Sequence, residues 1–180
     1  MKAWIEPLKE MKACGDALEW CKGYESLVEA WADCQRGDWM LWLLGKLSGN
    51  PKSASRKKLV LVTCQCARLS LGYVKKGELR PLRAIEVAEA WARGGEGITL
   101  EDVRNAAYAG ASAAYASDAG SASYAASYAA ACAAACAGYA GYASYAAYAG
   151  TLAKCADIVR EYYPDAPKLE RRGERWRKQN

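Results

Sequence analysis

The clearest structural signal in the chain is AAYAGASAAYASDAGSASYAASYAAACAAACAGYAGYASYAAYAGTLA, residues 106–153. Half of these 48 residues are Ala, and Tyr, Ser, Gly and Cys make up nearly all the rest. Asp118 is the only charged residue within the stretch. Because Ala has the highest intrinsic helix propensity, this composition predicts a low-complexity helical tract.

The length of this tract limits how it can fold. One unbroken helix over residues 99–163 would be about 95 Å long, whereas a compact chain of this size spans roughly 40 Å. We therefore expect the tract to be broken into packed pieces or to project into an oligomer. The Asp-Ala-Gly run at residues 118–120 is the best predicted break, and residues 138–141 are the next. Large uncharged residues on several sides of the helix favour burial by neighbours and predict a homo-oligomer.

The first 98 residues predict short amphipathic helices, because apolar residues recur at helical spacing between Gly-containing turns. Asp38 is a candidate N-cap, and Thr99 with Asp102 has the spacing of a capping box. The β-branched stretch that begins at Leu59 fits a strand or a helix, and its continuation to Leu71 favours the helix. The predicted helices cover residues 4–13, 16–22, 25–34, 39–44, 59–71 and 81–93.

These patterns predict an all-α fold, a compact multi-helix bundle that ends in a long Ala/Tyr-rich tract. We expect a single domain over residues 1–163, with amphipathic helices over 1–98 and the tract over 99–163. Residues 164–180 form a basic tail, which is expected to be solvated, with phosphate binding as the alternative. The formal net charge of the whole chain is +5.

The composition argues against most enzyme classes. The chain has no His and no Phe, so the commonest general base and every Ser/His/Asp or Cys/His arrangement are absent. No Gly-rich phosphate loop is present, and two carboxylate pairs, Glu86 with Glu89 and Asp157 with Glu161, are expected to form surface ion pairs. We therefore expect a protein that is not an enzyme and binds no cofactor.

The eight cysteines are expected to be free, buried thiols. The first residues mix charged and apolar side chains and do not resemble a secretory signal, so a reducing cytoplasm is expected. Cys64 with Cys66 and Cys132 with Cys136 could in principle surround a metal, but neither pair has CxxC spacing. No metal site is predicted. An uncharged tract rich in Ala, Ser and Gly is a weak membrane span, so no membrane association is expected.

Cations beside aromatic rings are the candidate ligand-binding residues. If the predicted helices around residues 56–83 pack on the tract, cations would bind phosphate groups while Tyr rings stack on a base. Solvated helix ends and a Tyr-containing core are the alternatives. The candidates are Arg56, Lys57, Arg68, Arg80, Arg83, Tyr124, Tyr128, Tyr139 and Tyr142.

Three segments carry a family resemblance. They are CQRGDWMLW at residues 34–42, CARL at residues 66–69 and RAIEVAEAWARG at residues 83–94, followed by the long Ala-rich helix. Together they resemble a family catalogued as putative immunity proteins in bacteria and phages, over residues 13–160. The resemblance implies a role in conflict between phage and bacterium, with no enzyme activity, no cofactor and no assigned site residues.

Combining this resemblance with the Tyr-rich composition, we expect a non-catalytic binding protein. The leading hypothesis is sequestration of a nucleotide-derived immune signalling molecule to counter host defence, in the host cytoplasm if the protein is phage-encoded. The first alternative is an immunity protein that neutralises a protein toxin by direct binding. The second is an oligomeric structural protein. The expected partner is thus a nucleotide-like small molecule or a toxin or defence protein, and nucleic acid is not expected.

Overall fold

The computed structural model of the chain describes residues 2–50, 52–69, 71, 76–115 and 149–169. Within these ranges the chain forms eight α-helices and no strand, which confirms the predicted all-α class. The helices are α1 (Glu6–Glu10), α2 (Gly15–Cys21), α3 (Leu27–Asp33), α4 (Gly37–Leu47), α5 (Ala54–Arg68), α6 (Arg80–Ala92), α7 (Leu100–Tyr115) and α8 (Ala149–Tyr162). The predicted breaks near residues 118 and 138 lie outside the described residues, as does most of the basic tail.

The described residues divide into two compact units, one with residues up to Cys34 and from Tyr163, the other from Gln35 to Tyr162. The first unit holds the short helices α1 to α3. Because such helices are marginal alone, side chains tie their ends: Trp31 Nε1 donates to the Tyr163 carbonyl oxygen at 3.0 Å, and Lys2 Nζ donates to the Tyr24 carbonyl oxygen at 2.7 Å. The single domain expected over residues 1–163 stays a prediction.

The core of the second unit lies between α5, α6 and α7. Ile85 on α6 and Val60 on α5 are fully buried, and Val103 on α7 is 1% exposed. Small residues alternate with these branched ones, so that the helices pack closely. The buried cluster comprises Val60, Cys64, Ala67, Ala84, Ile85, Ala88, Trp91, Ala92, Val103 and Ala107.

Helices α4 and α8 complete the second unit and approach each other closely at a glycine. A Cβ atom at Gly37 would lie 2.5 Å from the Cys155 Cβ atom and 2.6 Å from the Ala156 backbone nitrogen. Both distances are well inside van der Waals contact. Gly37 therefore permits α4 to start directly against α8, which explains the Gly in the Arg-Gly-Asp tripeptide at residues 36–38.

Several helix ends differ from the sequence-based expectation. Asp38 is not the N-cap of α4, because the helix starts at Gly37, two residues before the predicted start, and Arg36 occupies the cap position. Helix α5 starts at Ala54 instead of Leu59, since the Ser53 side chain accepts a hydrogen bond from the Arg56 backbone nitrogen at 3.2 Å. The helix ends at Arg68, before the predicted Leu71.

The capping box before α7 is confirmed. Thr99 Oγ1 accepts from the Asp102 backbone nitrogen at 3.2 Å, and Asp102 Oδ2 accepts from the Thr99 backbone nitrogen at 2.7 Å. These two bonds satisfy N–H groups that a helix start leaves without partners. The Thr99 hydroxyl also donates to Asp102 Oδ2 at 2.6 Å. This bond, together with the one from the Thr99 backbone nitrogen, holds the pKa of the Asp102 carboxyl below its usual value.

Candidate functional site

The predicted cations at the start of α5 have contacts within the fold. Arg56 Nη2 donates to the Gly45 carbonyl oxygen at 3.2 Å and to the Gly49 carbonyl oxygen at 3.1 Å. These carbonyls lie in the last turn of α4 and just beyond it, where a cation complements the helix dipole. Lys57 Nζ lies 5.6 Å from the centroid of the Trp91 ring, within the range of a cation–π contact.

Arg68, at the other end of α5, is held by a carboxylate. Its Nε donates to Glu89 Oε1 at 2.8 Å and its Nη2 to Glu89 Oε2 at 3.0 Å, the two-bond geometry that makes such pairs strong. Arg93 Nη1 adds a contact to the same carboxylate at 3.4 Å. Hydrogen bonding from Arg68 holds the pKa of Glu89 below its usual value. The expectation that Glu89 lies on an outer surface is wrong, because its residue is only 8% exposed.

Arg80 and Arg83 differ in their surroundings. The Arg80 guanidinium forms two hydrogen bonds with the Glu78 carboxylate, and the Arg80 backbone nitrogen donates a third at 2.9 Å. These bonds lower the pKa of Glu78 to about 2. Arg83 is exposed, and it has no ion pair with any other residue that the structure describes.

The structure does not bring the predicted cations of α5 together. Arg56 and Arg68 are twelve residues apart in one helix, which separates them by about 18 Å along its axis. The predicted ring partners Tyr124, Tyr128, Tyr139 and Tyr142 lie outside the described residues. The role of this set in ligand binding stays a prediction.

The cysteines of α5 face different helices. Cys64 Sγ donates to the Ile85 carbonyl oxygen of α6 at 3.8 Å, and Cys66 Sγ donates to the Cys155 carbonyl oxygen of α8 at 3.8 Å. All six described cysteines are free, as predicted, and Cys14 alone among them is exposed. Cys132 and Cys136 lie outside the described residues. Among the described side chains, no cluster of three or more His, Cys, Asp or Glu could hold a metal ion.

Helix α7 exposes a continuous row of side chains on the side away from the core. Tyr108 is 74% exposed, whereas Val103 and Ala107 of the same helix are buried. Glu101, Arg104 and Asn105 are exposed as well, and the spacing of three and four residues puts them on one side of the helix with Tyr108. We call these four residues the α7 outer face. Sequence analysis missed it because Tyr108 was grouped with the Ala-rich tract.

No helix within the described part of the chain is long and apolar enough to cross a bilayer. A family model described as Imm-5 like putative immunity protein matches residues 49–174. No curated protein and no solved structure matches the chain. The family match contains α5 to α8 and two of the three segments that carried the resemblance; it begins after the segment at residues 34–42.

Proposed function

The chain belongs to the Imm-5 like putative immunity protein family, and we propose that it neutralises a protein toxin by binding the toxin directly. The family match, which spans four helices of the second unit, is the observation that carries this proposal. The absence of His from the sequence supports a protein that acts by binding, because the commonest catalytic base is missing.

The α7 outer face is the proposed contact surface for the toxin. It lies inside the family match, and it combines Tyr108 with Arg104, two residue types enriched at the centres of protein interfaces. Tyr108 has the highest exposed fraction among the large apolar side chains of the described residues. Ala109, the next residue, is also exposed.

This face is held in place before a partner arrives. Val103 is 1% exposed and Ala107 7% exposed, so one side of α7 is anchored in the core of the second unit. The Thr99–Asp102 capping box orders the first turn. A surface that is ordered in the free protein loses less conformational entropy on binding than a flexible loop does.

The surroundings of the predicted phosphate-binding cations favour a protein partner over a nucleotide. Arg68 is already paired with Glu89, and Arg80 with Glu78. A phosphate group would have to displace a carboxylate at each guanidinium. Glu89 is a residue with 8% exposure, and a buried charge left without its partner is costly. Sequestration of a nucleotide signal therefore stays the second candidate.

Growth rescue tests the proposed function. A candidate toxin is the product of a gene adjacent to the gene of this chain, expressed from an inducible promoter in bacteria. Co-expression of this chain should restore growth, and the two purified proteins should elute together from a size-exclusion column. Continued growth arrest together with separate elution would contradict the proposal.

Substitutions on α7 locate the contact. Tyr108→Ala should weaken the complex by at least about 2 kcal/mol, roughly 30-fold in Kd, since truncated Tyr anchors lie in this range. Val28→Ala is the matched control, because Val28 is 68% exposed and lies outside the family match. Isothermal titration calorimetry should show full affinity for that control. Equal affinity of both variants would place the contact elsewhere on the chain.

A further inference from the structure

An exposed apolar side chain on α3 is bordered by carboxylates. Val28 is 68% exposed, and Ala32, one turn further along the helix, is exposed as well. Glu25 and Glu29 are also exposed, and the spacing of three and four residues puts all four on one side of the helix. We call these four residues the α3 outer face. The opposite side of α3 is buried at Trp31.

The two carboxylates of the α3 outer face are accessible to a cation. Glu29 Oε2 accepts from the Glu25 backbone nitrogen at 2.9 Å, and Glu29 has no ion pair with another residue that the structure describes. Lys2 Nζ lies 2.8 Å from Glu25 Oε1, but the Glu25 side chain is still 81% exposed. Each carboxylate has two oxygens that accept several hydrogen bonds, so both have room for a further charged donor.

The end of the chain runs close to this helix. Trp31 Nε1 of α3 donates to the Tyr163 carbonyl oxygen at 3.0 Å, so the segment that follows α8 begins beside α3. This segment belongs to the same compact unit as α3. Pro167 and Leu169 are half-buried, and the chain therefore stays against the protein up to its last described residue.

Residues 170–180, which lie outside the described residues, carry side chains complementary to the α3 outer face. Their sequence, ERRGERWRKQN, has five cations and two carboxylates, a formal net charge of +3. Residues 2–34 have four lysines and seven carboxylates, a formal net charge of −3. Trp176 stands between Arg175 and Arg177, so an apolar ring is bordered by cations in the tail, just as Val28 is bordered by carboxylates on the helix.

We propose that the α3 outer face binds the C-terminal tail of the same chain. The ring of Trp176 packs on Val28, and the neighbouring arginines pair with Glu25 and Glu29. Trp and Arg are the residue types that contribute most at the centres of protein interfaces. Charge complementarity of this kind selects the occupant and sets its orientation.

The connecting segment is long enough for this contact. The seven residues that lead from Leu169 to Trp176 span up to about 23 Å when extended, whereas the seven residues of α3 are about 10 Å long. Because the tail is tethered to the unit that it binds, its effective concentration at the α3 outer face is high. A small number of exposed contacts is therefore sufficient for docking.

Cross-linking of the full-length chain with a carbodiimide tests the proposal. The reagent joins a carboxylate to a lysine amine in direct contact, with loss of one water. Lys178 is the only lysine of residues 170–180. We expect an amide between Lys178 and Glu25 or Glu29 in protein of monomer mass, recovered after trypsin digestion as residues 23–36 joined to residues 178–180. A link between Lys2 and Glu25, which form an ion pair at 2.8 Å, shows in the same sample that the reagent was active.

One variant, its control and added salt define the contact. Trp176→Ala should lower the yield of the Lys178 link at least about fivefold, because the apolar anchor is removed. Glu10→Gln removes an exposed carboxylate of α1 outside the α3 outer face and should leave the yield unchanged. Sodium chloride at about 0.5 M should also lower the yield, since salt screens exposed charges.

Three results would overturn the proposal. The first is a sample in which Lys2 is linked and Lys178 is not. The second is a Lys178 link found only in protein of dimer mass, which would show that the tail of a second copy occupies the α3 outer face. The third is a yield that Trp176→Ala leaves unchanged, which would show a passing encounter of charges without docking.

Discussion

Helix α5 packs on α6 and on α8 by different means. On the α6 side, branched aliphatic residues such as Val60 and Ile85 are fully buried, and a paired charge, Arg68 with Glu89, lies at the margin. On the α8 side, branched residues such as Val159 are buried as well, but small residues mark the close contacts, with the Cys66 thiol against the Cys155 carbonyl oxygen and Gly37 against Ala156. Polar contacts at the end of α8 are exposed.

This difference shows two ways in which helices of one unit are specified. The α6 side is stabilised by large buried side chains and by one buried carboxylate that has its hydrogen-bond partners. Substitutions that leave a cavity or an unpaired charge should therefore destabilise it. The α8 side also requires that position 37 carry no side chain, so an added atom there is the change expected to disrupt it. The predictions below test this contrast in order of expected size.

Gly37→Ala should have the largest effect. The added methyl group would lie 2.5 Å from the Cys155 Cβ atom and 2.6 Å from the Ala156 nitrogen, and backbone cannot move aside as a flexible side chain could. We expect a loss of about 3 kcal/mol in the free energy of unfolding, at the upper end for overpacking. Urea unfolding followed by circular dichroism measures this.

Gly15→Ala is the control for that variant, because a Cβ atom at Gly15 meets nothing within 4 Å. It should be neutral or slightly stabilising, since Ala is the better helix former. If both variants unfold at the same urea concentration, the close approach of α4 and α8 is not a constraint on the fold.

Glu89→Gln should have an intermediate effect that depends on pH. Hydrogen bonding by Arg68 lowers the pKa of Glu89, so the charged carboxylate stabilises the fold above the pKa of the unfolded chain. That stabilisation is lost as pH falls through the lower pKa of the folded state. At neutral pH the variant should lose about 1 to 2 kcal/mol, because an amide replaces one charge-assisted partner.

Urea unfolding at several pH values checks the sign. The stability of the unchanged protein should fall more steeply than that of the variant as the pH drops below about 4.5, the ordinary pKa of a Glu carboxyl. The difference in unfolding free energy between the two proteins therefore narrows at acid pH. Glu86→Gln, on the same helix but exposed, is the control and should follow the unchanged protein. A gap that stays constant with pH would show that Glu89 contributes through packing alone.

Gln65→Ala should have the smallest effect. Gln65 Nε2 donates to the Tyr162 hydroxyl at 2.6 Å, but the bond is exposed, so water replaces it when the amide is removed. We expect a change below about 0.5 kcal/mol, as for most surface substitutions. A loss comparable with that of Glu89→Gln would mean that polar contacts, and not small residues, hold α8 to α5.

The sequence predicted local features better than interhelical ones. The capping box at Thr99 and the helix that contains Pro81 follow from residues close together in the chain, and the structure has both. The burial of Glu89 could not be predicted, because its Arg68 partner is on another helix. The role of Gly37 could not be predicted for the same reason, since its spatial neighbour Cys155 is more than a hundred residues distant along the chain.

The candidate site shows the same limit. Charge and spacing identified Arg56, Lys57, Arg68, Arg80 and Arg83 as cations near aromatic residues, but sequence could not show that Glu78 and Glu89 already pair with two of them. Tyr108 was visible only as one of many tyrosines in an Ala-rich tract. Its exposed position depends on which side of α7 meets α6, and that is set by the tertiary fold.

The central claim is that this member of the immunity protein family acts on a protein partner. Native mass spectrometry is the most direct test of that claim. The purified chain is mixed with the candidate toxin and with a panel of cyclic and linear nucleotides in one sample. The account predicts a complex with the mass of chain plus toxin and no nucleotide adduct, and a smaller fraction of that complex with Tyr108→Ala. A nucleotide adduct on the chain, with the toxin remaining unbound, would contradict it.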